Sequence, residues 1–158
     1  MNYVEILWLL IGFLIGVTVL RALLPIAYRF GLKVRFWIRH GRQGKFILFI
    51  YSDSSNWKDY IEQNVLPRIE AHSVILNWSK RREWESQMRF EMKLFNQWAG
   101  SREFVPAAIL FPLAGKVKVF RLFQLSQNPK HGKDRVSKEA EHALFAAVKQ
   151  WGRSASGG

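Results

Sequence analysis

"KFILFIYSDSSNWKDY", Lys45 to Tyr60, reads as a strand that runs without a break into a polar turn and a helix. The continuous apolar run over 45–52 is the signature of a strand covered on both faces. Asp53, Ser54, Ser55 and Asn56 bring turn and helix-cap chemistry. "NWKDYIEQNVLPRIEA" (56–71) then places Trp57, Tyr60, Ile61, Val65 and Ile69 largely on one side of a helix, with Pro67 set to kink or split it. A doubly covered strand followed by a crossover helix belongs to an α/β sheet. In such sheets the turn after the strand is where chemistry or binding is commonly found.

Toward the C-terminus the elements keep alternating. "HSVILNW" (72–78) is a second apolar strand, and Ser79 is expected to cap a charged helix, "KRREWESQMRFEMKLFNQW". In that helix Trp84, Met88, Met92 (or Glu91) and Phe95 recur at helical spacing. "FVPAAILFP" (104–112) is a third strand opened by a proline. "GKVKVFRLFQL" (115–125) alternates, and the short turn "PLAG" makes the two an antiparallel hairpin. "SQNPKHGKDR" is a basic loop. Ser137 caps a last helix, "KEAEHALFAAVKQW", with Ala140, Leu144, Ala147, Val148 and Trp151 as its buried stripe. "GRSASGG" (152–158) is expected to be a disordered tail. The reading is a small β-α-β-α-β-β-α sandwich over 45–151.

Toward the N-terminus the character changes. Ile6 to Leu20 is an uncharged run of 15 residues, and Val4 to Leu24 counts 21. At ~1.5 Å per residue such a helix crosses a ~30 Å hydrocarbon core. A buried core helix and a cleaved signal peptide are the alternatives. "MNYVE" lacks the basic n-region of a signal peptide, and no A-x-A-like site follows. Residues 1–25 are therefore expected to be one transmembrane anchor in contact with the lipid bilayer. Arg21, Arg29, Lys33, Arg35, Arg39 and Arg42 follow the span, whereas only Glu5 and the α-amino group precede it. The positive-inside rule then predicts a single-pass protein of a bacterial inner membrane, N-terminus outside and C-terminal domain cytoplasmic.

Residues 26–44 stay open between a juxtamembrane linker and an edge strand. Leu32, Val34, Phe36 and Ile38 alternate with Lys33, Arg35, Trp37 and Arg39, the period of a strand. The same stretch suits the bilayer surface, with Tyr28 and Trp37 at headgroup level and the basic residues on anionic lipid.

The composition narrows the functional classes. The 158 residues carry 24 Lys and Arg against 12 Asp and Glu, a formal charge of +12, and seven Trp argue for a packed core over a disordered basic tail. There is no cysteine, which excludes thiolate catalysis, disulfides and Cys-based zinc sites within these residues.

Over 45–151 the chain resembles the thioredoxin-like fold. "FILFIYSDSSNWK" looks like that family's first strand and active-site turn, and "FVPAAILF" is similar to its Ile-Pro-Thr strand opening. The resemblance implies that Val105–Pro106 is a cis bond facing the turn. It places the family's Cys-x-x-Cys near Ser55-Asn56-Trp57-Lys58, where no sulfur is present, so it implies the scaffold without dithiol exchange.

The remaining candidates divide into chemistry and contact. Ser54 or Ser55 as nucleophile with Lys58 as base would make an enzyme, although serine and asparagine at a helix start are usually caps. Asp53, Asp59 and Glu62 are first-turn acids that complement a helix dipole, and the four histidines show no ligand spacing. No metal and no cofactor is expected. The groove between the turn (Asp53, Ser54, Ser55, Asn56, Trp57, Lys58) and Val105–Pro106 is expected to receive a protein partner. Lys80, Arg81 and Arg82, with Lys130, Lys133 and Arg135, form a basic patch for acidic lipid or, less naturally, nucleic acid, since no nucleic-acid-binding motif is present.

Overall fold

A computed structural model describes residues 2–84, 86–100, 105–124, 135–136 and 138–156. It divides into two compact units, one up to Arg35 and one from Phe36 onward. The architecture is mixed α/β, with one long apolar N-terminal helix and a four-stranded mixed sheet.

Helix α1 runs from Tyr3 to His40 with Pro25 inside it. Its start is fixed by Glu5, whose carboxylate accepts from the Asn2 backbone N–H at 3.0 Å. Farther along, Thr18 returns its hydroxyl to the Leu14 carbonyl at 2.8 Å, satisfying the group within the helix. Every side chain from Val4 to Leu24 is exposed. Among the described residues this is one helix long and apolar enough to cross a membrane.

Of the two alternatives over 26–44, the edge strand is corrected here. The helix continues to His40, and a 3₁₀ turn (Gly41–Gln43) closes on Gly44 at φ 69°, a conformation glycine adopts without strain. The alternation in the sequence was only part of a longer period. Leu32, Phe36 and His40 are the buried positions and lie four residues apart, one face of a helix.

In the second unit β1 (Ile47–Tyr51) is buried along its whole length. The crossover that follows is helical in three pieces: α2 (Lys58–Tyr60), a π-helical turn (Ile61–Val65) and α3 (Leu66–Ile69). The change of winding falls just ahead of Pro67, which has no N–H to return to the preceding turn and crowds the carbonyl four residues back. β2 (Ser73–Asn77) pairs parallel with β1, Ile47 against Ser73 through Tyr51 against Asn77. β3 (Ala107–Leu110) pairs antiparallel with β1, and β4 (Lys118–Arg121) antiparallel with β3. The strand order is β2-β1-β3-β4.

Side-chain alternation along β1 splits the core into two layers. Ile47, Phe49 and Tyr51 pack with Ile61, Val65 and Ile69 from the crossover and with Leu144, Ala147 and Val148 from α6 (Lys138–Ser156). Leu48 and Ile50 point to the opposite face. Phe111, also on that side by the alternation of β3, stacks on Phe36 with ring centroids 4.2 Å apart and meets Trp98 edge-on. The expected stripe on the last helix is present, with Ala140 and Trp151 half-buried at its margins.

Three further expectations are corrected. The charged segment after β2 is not one helix capped by Ser79. It is a 3₁₀ turn (Trp78–Lys80), α4 (Arg81–Trp84) and, after an intervening turn, α5 (Arg89–Trp98). Asn77 is the cap, its side chain accepting from the Ser79 N–H. The break rotates the buried face, so α5 buries Phe90, Glu91, Leu94 and Phe95, while Met88 and Met92 are half-buried. Strand 115–125 is likewise shorter than its alternation suggests. It ends at Arg121, and β5 (Phe123–Gln124) pairs instead with β6 (Arg135–Val136). The expected disordered tail begins inside α6, which runs to Ser156. The expected cap Ser137 lies outside the described residues.

Candidate functional site

The turn after β1 is held by its own backbone. The Ser54 carbonyl accepts from the N–H groups of Trp57 and Lys58 at 3.2 and 2.9 Å, which closes the turn and starts the helix. Ser54 Oγ accepts more weakly from the Asn56 N–H at 3.4 Å. Trp57 folds back so that its indole N–H donates to the Ser52 carbonyl at 3.1 Å, anchoring the turn to the strand end. Ser54 is therefore a turn-former, the role its residue type favours.

A second segment, 77–82, locks onto this turn. Asn77 Nδ2 donates to Asp53 Oδ1 at 2.8 Å, and the Asp53 N–H donates to Ser79 Oγ at 2.9 Å. Asn77 Oδ1 accepts from the Ser79 N–H at 2.9 Å, and the Asn77 carbonyl accepts the Trp84 indole N–H at 2.9 Å. Asn77 thus joins three elements: the β1 turn, its own 3₁₀ turn and α4. Nearby, the Tyr51 hydroxyl donates to Glu62 Oε1 at 3.3 Å. Burial raises the Tyr51 pKa above its ordinary 10.0, and the Glu62 charge pushes the same way, so the hydroxyl stays a donor.

The third segment arrives through register. β1 and β3 are antiparallel with Ile50 opposite Ala107, so the next step places Pro106 opposite Tyr51. The Pro106 carbonyl is taken by the Leu122 N–H at 3.1 Å, and Val105–Pro106 is cis. The 53–58 turn, the 77–82 segment and Val105–Pro106 therefore meet at one end of the sheet. That end lies away from the one where His40, Gly44 and Lys45 lead into β1.

The chemistry available there is limited. Lys58 Nζ sits 3.8 Å from Asp53 Oδ1 and its side chain is 41 % exposed, so it is not the desolvated amine a serine nucleophile needs beside it. Ser55 and Asn56 are exposed. No three or more His, Asp or Glu side chains converge as a metal site among the described residues. Val105 and Pro106, at the inner side of this end, are both buried. The solvent-facing part of this end is Asp53, Ser55 and Asn56, continued by Ser79, Lys80, Arg81 and Arg82, all exposed.

No known family model matches the chain. Neither a curated protein nor a solved structure is significantly similar to it.

The basic patch is placed in part. Lys80, Arg81 and Arg82 follow β2 directly and adjoin the turn, and the Arg81 guanidinium lies 5.8 Å from the Trp78 ring centroid. Lys130 and Lys133 lie outside the described residues, and Arg135 is described as part of β6. The juxtamembrane set is strung along α1, where Arg21, Arg29, Arg35 and Arg39 are exposed and Lys33 is half-buried, with Arg42 exposed in the 3₁₀ turn after it.

Two polar clusters were not legible as sites. Glu91 is wholly buried on α5, with His40 Nε2 at 2.8 Å and Arg39 Nε at 3.4 Å from its Oε1. Its other oxygen, Oε2, is buried without a hydrogen-bond partner among the described residues. The hint was an acid competing with Met92 for the core-facing position of the stripe. Elsewhere Tyr60 donates to the buried Glu141 carboxylate at 2.5 Å and accepts from Lys138 Nζ at 2.5 Å. That bond raises the Lys138 pKa above its ordinary 10.5, with the Glu141 charge adding to it. Nothing in the sequence places residues 60 and 141 together.

Proposed function

We propose that this chain is a single-pass membrane protein whose second unit is a thioredoxin-like, redox-inactive binding module. The span is α1, and its basic C-terminal flank favours a cytoplasmic location for the module. The fold reading is supported by a parallel strand pair joined through a helical crossover, an antiparallel hairpin beside it and a proline opposite the end of β1. The absence of cysteine removes dithiol exchange.

The single observation that carries the functional reading is the double lock of Asp53 by Asn77 and Ser79. It holds an exposed polar turn rigid without assembling a nucleophile and base. A rigid, exposed turn loses little freedom on binding, which is what a docking surface requires. A protein partner is favoured over an enzyme substrate because Lys58 is spent on Asp53 and the turn serines face solvent or the backbone.

The test is site-specific photo-crosslinking of the full chain in native membranes. A crosslinker at Asn56 is expected to give a discrete protein adduct, and one at the exposed Lys149 on α6 is not. Equal labelling from both positions, or none from Asn56, would overturn the reading. Protease access in right-side-out and inverted vesicles tests the orientation separately.

A further inference from the structure

We infer that the partner of the turn presents a short run of acidic side chains, received by Arg82, Lys80 and the hydroxyls of Ser55 and Ser79. This rests on the binding-module reading above and adds the chemistry of the partner.

The first observation is placement. The Ser79 hydroxyl oxygen accepts the Asp53 N–H at 2.9 Å, which fixes the 77–82 segment against the turn. From there a 3₁₀ turn passes into α4, and in both windings residues three apart lie on one side. Arg82 therefore stands on the Ser79 side, ~5 Å farther along the axis at ~1.5–2 Å per residue. The same spacing pairs Trp78 with Arg81, whose guanidinium is held 5.8 Å from the Trp78 ring centroid. Lys80 takes the third side, with Glu83.

The second observation is an imbalance of donors and acceptors. Arg82 and Lys80 are exposed and form no hydrogen bond or ion pair among the described residues. An arginine brings five donors and a lysine three, and neither accepts. The Ser79 oxygen is taken as an acceptor, which leaves its O–H to donate. The exposed Ser55 hydroxyl has no partner among the described residues. Against these donors stands Asp53, and its Oδ1 already takes the Asn77 amide and faces Lys58 Nζ. A face of unspent donors is complemented by carboxylates, which accept only and form the stronger, charge-assisted bonds.

Acidic side chains of a protein fit this face better than the other anionic surfaces. A bilayer takes up a basic face that also inserts apolar side chains. Beyond α1, one large exposed apolar side chain is present among the described residues, Leu113, and it sits between β3 and β4 at the other end of the sheet. A nucleic acid offers bases to stack and a long run of phosphates. Here the Trp78 ring is engaged by Arg81, and the cations following Ser79 are three consecutive residues.

The experiment is photo-crosslinking from Asn56 in the full chain in native membranes, with the yield of protein adduct compared between two matched variants. Arg82→Gln with Lys80→Gln removes two charges beside the turn. Lys116→Gln with Lys118→Gln removes two exposed charges at the other end of the sheet. The first is expected to lower the yield roughly two- to five-fold per cation, the range of exposed ion pairs, and the second to leave it unchanged. Arg82→Lys with Lys80→Arg should keep the yield. Hexaglutamate added to open membrane fragments should compete for the adduct, and hexaglutamine should not. Equal loss in the two Gln variants would overturn the inference, because net charge alone would then account for it. A protein adduct that neither the substitutions nor hexaglutamate diminish would also overturn it, and in both cases the binding module would stand. An Asn56 adduct with lipid or nucleic acid in place of protein would replace the acidic partner with that surface. Absence of any adduct at Asn56 would remove the binding module and its acidic partner together.

Discussion

Glu91 and Asp53 are two carboxylates of the same unit in opposite circumstances. Glu91 is fully buried, meets one histidine and one arginine from the end of α1, and has an oxygen with no hydrogen-bond partner among the described residues. Asp53 is exposed and accepts from Asn77, donates its N–H to Ser79 and faces Lys58. The first depends on its partners for its existence, because an unpaired charge in the interior costs several kcal/mol. The second is organised beyond what stability needs. Tight order at an exposed position is the better pointer to function, and burial the better pointer to structure.

The sharpest way to break that comparison is His40→Ala. It leaves the Glu91 carboxylate buried against only the 3.4 Å contact of a 44 % exposed Arg39. Loss of about 3–5 kcal/mol of unfolding free energy is expected, read by denaturant unfolding of the full chain in detergent. A loss of only about 1–3 kcal/mol would mean that Glu91 is not held there as a charge, since leaving a buried neutral hydrogen-bonding group without its partner costs about that much. Asp53→Ala, its exposed counterpart, is expected to cost about 1 kcal/mol or less.

Next in size is Asn77→Ala, which removes an N-cap and the tether on Asp53 together. Capping losses run at about 0.5–2 kcal/mol, and about 1–2 kcal/mol is expected here. Hydrogen exchange separates the two effects. The Asp53 amide, donating to Ser79 Oγ, should exchange faster in the variant while the β1 amides keep their protection. Unchanged exchange at Asp53 would show that the turn is rigid without Asn77.

The contrast between the two carboxylates also explains what the sequence could reveal. The strand at 47–51, its helical crossover, the hairpin and the proline at position 106 were all legible, because each is a local pattern of apolar period and turn chemistry. Local patterns failed where two periods overlapped. Residues 32–38 alternate as a strand does, yet Leu32, Phe36 and His40 are one helical face. Residue type alone makes Ser79 the cap, because serine caps helices, but the residue two positions earlier holds the strand end and outcompetes it. The locks themselves pair residues far apart in the chain, 53 with 77 and 79, 40 with 91, and 60 with 141. Only the sheet's parallel register brings the first pair together, and no single-sequence pattern encodes it.

Alkaline pH gives a smaller and graded effect, which tests the hydroxyl beside the turn against the bulk of the fold. The Tyr51 pKa is raised by burial and by Glu62, and the Lys138 pKa by its bond to Tyr60. A raised native pKa means the folded chain holds its proton more tightly than the unfolded one. The resulting stabilisation is complete below the ordinary values near 10 and is lost as pH rises through the raised ones. Thermal unfolding is therefore expected to be flat on account of these groups up to about pH 10 and to decline above it. Tyr51→Phe should remove part of the decline. A decline of the same size in that variant would assign it elsewhere.

The smallest expected effect decides most about function. Ser55→Ala with Lys58→Ala touches an exposed hydroxyl and one 3.8 Å ion pair between half-exposed groups. Surface changes of this kind usually stay within about 0.5 kcal/mol, so stability should hardly move. If the turn is a docking surface whose shape is set by Asn77, Ser79 and the Ser54 carbonyl, the Asn56 crosslink should persist in the double variant and weaken in Asn77→Ala. If Ser55 and Lys58 carry a reaction, the order reverses: Asn77→Ala should impair function only in proportion to its loss of order, while the double variant abolishes it. The two variants thus set the hold on Asp53 against the chemistry of its neighbours, and the reversed order would sink the binding-module reading.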